Sequence, residues 1–272
     1  MSKGITSVEG FIRKIFSISS ETQYSVFYRG HSNRETYKLQ PSLYRKPSHI
    51  DNEHLLFREL LIANPIEFEN DASTFEKLVR MQHYSMPTRL FDITSNPLMA
   101  LYFSSKSNNN KTGEVIIFKI NNSEVKFFDS DTVSCIANLA KLSKNDKDTF
   151  DLEQDAINFN NSSPAKKLLH FVREEKPFFA NNIQPGDINK IICVKGKMTN
   201  DRIISQSGAF LLFGLNARLP EEGNSQITIE RVTINPNAKS KILQELDRLN
   251  INDRTVFPYI ENSAKYIANK YG

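Results

Sequence analysis

The chain has 272 residues, 39% of them apolar and 24% charged, which suits a packed soluble domain and excludes general disorder. Its 35 Lys and Arg against 31 Asp and Glu leave a formal charge of +4 with no basic block, a balance that tolerates a phosphate-bearing partner without requiring one. Cys135 and Cys193 lie far apart in apolar stretches without a CxxC partner, and neither a leader-like apolar region nor a membrane-length apolar run occurs, so a reduced cytoplasmic setting without membrane contact is expected.

In chain order, Val8, Phe11, Ile12, Ile15 and Phe16 recur at helical spacing behind a capping-box pattern of Thr6 and Glu9. "YSVFYRG" predicts a strand that closes at Gly30, and a polar connection through Pro41 leads to a second helix over 52–63. Ser73 and Glu76 form another capping box for a third helix, which carries Phe75, Leu78, Val79 and Gln82 into "HYSMPTRLFDITSNP". That stretch is too long and too polar for a tight turn. Pro97 opens a short apolar helix, "LMALYFSS", with Thr94, Ser95 and Asn96 at its N-cap.

"TGEVIIFKI" and "VKFFD" read as strands, and helices with polar loops occupy 130–176, where they interrupt two strand-rich regions as an insertion would. Strands resume with "INKIICVKG", with "DRIISQSGAFLLFG" broken at Gln206-Ser207-Gly208, and with "SQITIERVTI"; the end of the chain is helical. The expected fold is α+β, a central mixed or antiparallel sheet with flanking helices. One domain is expected over 1–272: an N-terminal core at 22–120, a helical insertion at 130–176, C-terminal strands at 188–234 and terminal helices at 239–272.

Three polar clusters adjoin strongly apolar sequence and are expected at the rim of one cleft: Arg29 to His31, Gln82 to Asn96, and Arg202 to Gly208. Arg89 has two readings, a local ion pair with Asp92 that orders the loop, or a fork of donors for a phosphate or carboxylate. Thr94, Ser95 and Asn96 cap the next helix, and free N–H groups there suit an anion. His31 and His83 belong to no HExxH or Cys/His cluster, so no metal site is expected. GxSxG, P-loop and Rossmann signatures are also absent.

These residues carry a resemblance to FRG domain proteins. The namesake Phe-Arg-Gly appears as Tyr28-Arg29-Gly30, followed by "LQPSLYR" at 39–45. "RMQHYSMPTRLFDITSNPLMALYFS" from Arg80 to Ser104 resembles the family's second signature, and "DRIISQSGAF" with "KILQELDRLNIN" and "VFPYI" resembles its later elements. A more remote likeness is to ADP-ribosyltransferase folds, which carry an Arg or His at the end of a first strand, a Ser/Thr element, and a Glu on a later strand. It implies an ADP-ribosyltransferase-like cleft that binds NAD or a related nucleotide, with Arg29, Asp92, Thr94 and Gln206 as catalytic candidates.

The same likeness implies a binding set of Tyr28, Arg29, Gly30, His31, Gln82, His83, Thr88, Arg89, Thr94, Ser95, Asn96 and Gln206. Gln206 stands where a glutamate is wanted, so Asp92 or Glu230 becomes the candidate acid. Two functional classes therefore stand open. One is an NAD-dependent transferase with a protein or nucleic-acid acceptor, in a bacterial phage-defence or toxin setting; the other is a non-catalytic nucleotide sensor or protein/nucleic-acid interaction module.

Overall fold

A computed structural model describes residues 4–18, 21–197 and 201–271. The N-terminal half contains α1 (Val8–Phe16), β1 (Tyr24–His31), α2 (Pro47–Asp51), α3 (Glu53–Ala63), α4 (Thr74–His83), β2 (Leu90–Thr94), α5 (Pro97–Ser105), β3 (Gly113–Asn121) and β4 (Val125–Phe127). It continues through α6 (Asp131–Asn138), α7 (Lys144–Asp148), α8 (Ala156–Asn161), α9 (Ser163–Glu175), α10 (Pro185–Ile188), β5 (Ile191–Lys195), α11 (Asp201–Gln206), β6 (Gly208–Phe213) and β7 (Ile227–Ile234). The end is α12 (Lys239–Arg248), α13 (Asp253–Val256) and α14 (Ile260–Tyr271).

The seven strands form one mixed sheet in the order β4-β5-β6-β2-β1-β3-β7, with β4 and β5 parallel and the other pairs antiparallel. The α+β class is as expected. Alternation along the strands divides the core between two faces. On one face Tyr28, Val115, Ile117 and Val232 pack beneath α1, α5 and α12, while Leu90, Leu212 and Val194 pack beneath α4, α6 and α9. Phe27, Phe91, Ile93, Ile116 and Phe118 point to the other face, where Leu39, Ala217 and Leu219 cover them from loops. The helices of the 130–176 segment thus share a core with α4, β2, β5 and β6.

Four local expectations are corrected. Ser7, not Thr6, caps α1, because its side chain accepts from the Gly10 N–H. The polar stretch after α4 contains the central strand β2, and residues 201–206 form a helical turn before β6 instead of a strand. Gly30 does not end β1, which runs on to His31. It has no side chain because a Cβ there would lie 2.0 Å from the Ala100 carbonyl oxygen of α5. Gly113 serves the same helix from β3, with the Ser104 carbonyl 2.4 Å from any Cβ. Between them they let the α5 backbone rest directly on the sheet.

Arg89 is also corrected. It makes no pair with Asp92. Its guanidinium lies fully buried just before β2, where Nε donates to Glu53 Oε1 at 2.8 Å, a second nitrogen donates to Glu53 Oε2, and Nη1 donates to the Phe213 carbonyl at 2.9 Å. Lys147 donates to the same carboxylate at 2.7 Å. Burial alone would raise the Glu53 carboxyl, but the charges of Arg89 and Lys147 outweigh it and hold the group below its ordinary range. This buried trio clasps α3 and α7 to the β2 and β6 ends.

Removing one member of such a trio leaves a buried charge without its partner. Glu53→Ala is expected to lower the unfolding free energy by about 3–5 kcal/mol. Urea unfolding followed by circular dichroism measures it, and a loss within the scatter of surface substitutions removes the trio from the stability argument.

Candidate functional site

The site is created by a break in the pairing at the centre of the sheet. β1 pairs with β3 through eight successive residues and β2 pairs with β6 through five, yet β1 and β2 meet at one pair, Tyr28 with Thr94. Away from that pair the two strands diverge. Over the gap, between α4 and α5, opens a cavity of about 190 Å³. Val79, Phe103, Ile203, Ala209 and Phe210 give it apolar walls, and Arg29, Gln82, His83, Asp92, Thr94 and Gln206 supply its polar groups.

Arg29 occupies the gap itself. Its Nη1 donates to the Asp92 backbone carbonyl, and its guanidinium lies over the Phe91 ring at 4.0 Å from the centroid. That carbonyl is on the side of β2 where a full ladder would have placed a β1 amide, so the side chain supplies the donor that the strand does not. Arg29 Nε donates to His31 Nε2 at 3.3 Å. A ring nitrogen that accepts carries no proton, which places the proton of neutral His31 on Nδ1, 3.4 Å from Glu114 Oε1.

Arg231 Nη1 donates to Glu114 Oε1 at 2.8 Å and completes a row across three strands. Burial pushes His31 below its ordinary value and outweighs the pull of the Glu114 carboxylate beside it. Burial would raise Glu114, but the neighbouring His31 and Arg231 prevail and lower it.

Asp92 is fixed on the cavity side by Gln82, whose Nε2 donates to Oδ1 at 2.6 Å, and the Gln82 carbonyl in turn accepts from the Thr88 hydroxyl. Thr94 Oγ1 donates to the Gln206 carbonyl at 2.6 Å and accepts from the Asn96 N–H at 3.0 Å. The C-terminal segment closes the remaining side. Gln206 Nε2 donates to the Val256 carbonyl at 3.1 Å, and His83 Nε2 lies 3.0 Å from the Tyr259 hydroxyl.

Of the residues predicted from sequence, Tyr28, Arg29, Gly30, Gln82, His83, Asp92, Thr94 and Gln206 line the cavity together. His31 stands behind Arg29, Thr88 behind Gln82, and Asn96 caps α5 by accepting from the Leu98 N–H at 2.9 Å. Ser95 is exposed, with its N–H on the Ser207 carbonyl. Arg89 lies in its buried trio. Glu230 pairs with Lys119 at 2.6 Å on β7 and does not reach the cavity. The side chain of Arg202 lies outside the described residues.

Sequence reasoning missed Glu114 and Arg231. A carboxylate inside the apolar "GEVIIF" was their only signal. Among the described residues no cluster of three or more His, Cys, Asp or Glu side chains is placed to hold a metal ion, and no helix is long and apolar enough to cross a membrane. Cys135 and Cys193 are buried free thiols, both pushed up to about 12 by that burial.

The His31 environment sets a pH dependence. The unfolded chain takes up a proton near the ordinary value of 6.5 that the folded chain refuses, so stability falls as pH drops below that value and levels off beneath the lowered folded value. Protonation also turns Nε2 from acceptor to donor and opposes the Arg29 contact. His31→Gln is therefore expected to flatten the fall in stability below pH 6.5 in thermal unfolding. An unchanged slope would assign the acid sensitivity to other groups.

A family model for the FRG domain matches residues 24–113. That span holds β1, α4, β2 and α5 and ends where β3 begins, so it includes Arg29, Gln82, Asp92 and Thr94 but not Gln206. The later resemblances at 201–210 and near the C-terminus lie outside the matched segment. Neither the curated proteins nor the solved structures contain a match to the chain. The matched segment builds one side of the cavity and its central gap, so residues 24–113 carry an FRG domain.

Proposed function

We propose that the protein binds NAD or a related nucleotide in the cavity between β1 and β2, as an ADP-ribosyltransferase-like domain. The observation that carries the reading is the convergence on one cavity of Arg29 from β1, Thr94 from the end of β2 and Gln206 from the helical turn before β6. Arg29 brings a guanidinium, the planar donor group suited to a diphosphate. Thr94 and Gln206 would meet the ribose hydroxyls, and Tyr28, Phe103 and Phe210 offer flat apolar surfaces to a heterocycle.

In a transfer reaction the bond between ribose C1′ and the nicotinamide nitrogen breaks, its electron pair goes to the nicotinamide ring, and positive charge passes to the ribose. A carboxylate stabilises that charge where a neutral amide does not. Among the described residues Asp92 is the one carboxylate that lines the cavity, so it takes the role that Gln206 lacks. A second reading, nucleotide sensing without transfer, is favoured by one observation. Gln206 is not only neutral but has its amide N–H committed to the Val256 carbonyl.

Thermal unfolding with added NAD or ADP-ribose tests both readings. Ligand at roughly 100 times its dissociation constant is expected to stabilise the protein by about 2.7 kcal/mol. Arg29→Ala should lose the ligand-induced shift, read against its own lower baseline since Arg29 also serves the Asp92 carbonyl. Asp92→Asn should keep the NAD shift and lose nicotinamide release. Release unchanged in Asp92→Asn removes that residue from catalysis; a shift without release in the native protein favours the sensor. No shift with either ligand overturns nucleotide binding.

A further inference from the structure

The cavity of about 190 Å³ is smaller than the roughly 300–1,000 Å³ typical of sites that enclose a drug-sized molecule, so a dinucleotide must extend beyond it. A second hollow, of about 230 Å³, lies directly across Arg29. Arg29, Gln82 and Asp92 line both and form the partition between them. Its outer wall is the turn from Gln40 to Arg45 with Ser85 and Met86 opposite. "LQPSLYR", which the first cavity leaves without a role, faces this hollow.

The turn is held firmly. The Leu43 N–H donates to the Thr88 carbonyl at 3.2 Å, and the Thr88 N–H donates to Ser42 Oγ at 3.2 Å. Arg45 ends this fixed turn, and its exposed side chain makes no hydrogen bond or ion pair among the described residues. Gln40 is likewise without one. The hollow thus has two guanidinium groups, two amides and two hydroxyls. Its only carboxylate among the described residues is Asp92, already bonded by Gln82.

We propose that this second hollow is a phosphate subsite, in which Arg45 and Arg29 hold the diphosphate of a nucleotide whose ribose and base occupy the first cavity. The assignment rests on the nucleotide reading for the occupant of the first cavity, while the anion preference rests on the lining of the second alone. Arg29 then divides the ligand at its diphosphate. Arg45 is the residue that distinguishes phosphorylated from phosphate-free ligands.

Arg45→Gln is the direct test, because Arg45 is exposed and partnerless and its loss should leave the unfolding midpoint unchanged. Calorimetric titration of the native protein and the variant uses ADP-ribose, inorganic pyrophosphate and nicotinamide riboside. The expected result is a loss of about tenfold or more in ADP-ribose and pyrophosphate affinity, with nicotinamide riboside unaffected. Equal ADP-ribose affinity in the two proteins overturns the subsite and leaves nucleotide binding standing. Arg45-dependent binding of pyrophosphate without any binding of NAD or ADP-ribose overturns the nucleotide reading and leaves the anion subsite standing. If neither pyrophosphate nor ADP-ribose binds the native protein, the subsite is overturned.

Discussion

The single pairing of Tyr28 with Thr94 is the constraint on which the rest of the architecture depends. It keeps seven strands in one sheet while leaving the facing edges of β1 and β2 otherwise unpaired. An unpaired strand edge inside a protein must find other donors and acceptors. Here Arg29 reaches across to the Asp92 carbonyl, and the Thr94 hydroxyl bridges to the Gln206 carbonyl and the Asn96 N–H. The groups that repair the edge also line the cavity. α5 follows two residues after β2 and is pressed onto β1 at Gly30, so it cannot drift over the gap and fill it.

Arg29 gains its orientation from several directions. Phe91 lies under its plane, His31 accepts from Nε, and Glu114 with Arg231 fixes His31 from β3 and β7. A long side chain held in this way has little rotamer entropy left to lose when it meets a ligand. The buried Glu53 trio does comparable work below β2 and fixes the strand that carries Asp92 and Thr94. Electrostatics in this protein is therefore layered: one fully buried cluster defines the scaffold, and a second row, buried at His31 and Glu114, reaches the cavity through Arg29.

Much of this could be read in the residues, and the failures share a physical origin. The helices announced themselves through caps and apolar spacing, as Ser73 with Glu76 and Asn96 before Pro97 show. β2 did not, because "LFDIT" points Asp92 and Thr94 toward a cavity where a core strand would point apolar groups. Periodicity assumes that inward means apolar, and a strand bordering a site breaks that assumption. Arg89 misled for a related reason. Its true partner lies 36 residues earlier in the chain, and a non-local ion pair leaves no trace in spacing. Glu114 looked like one charge in an apolar strand. Its meaning appeared only when β1 and β7 brought His31 and Arg231 beside it.

Gly30 shows how one residue can be identified correctly and explained wrongly. As the close of a strand, a glycine suggests a turn, yet β1 continues through it with ordinary pairing to Val115. What forbids a side chain is the Ala100 carbonyl oxygen, 2.0 Å from any Cβ. The order Tyr28-Arg29-Gly30 therefore has a three-part physical content. Tyr28 makes the single link to β2, Arg29 satisfies the edge that the link leaves open, and Gly30 admits the helix that holds the opening in place. Neither neighbour alone would create a cavity; a full ladder would close it, and a displaced α5 would leave it without a wall.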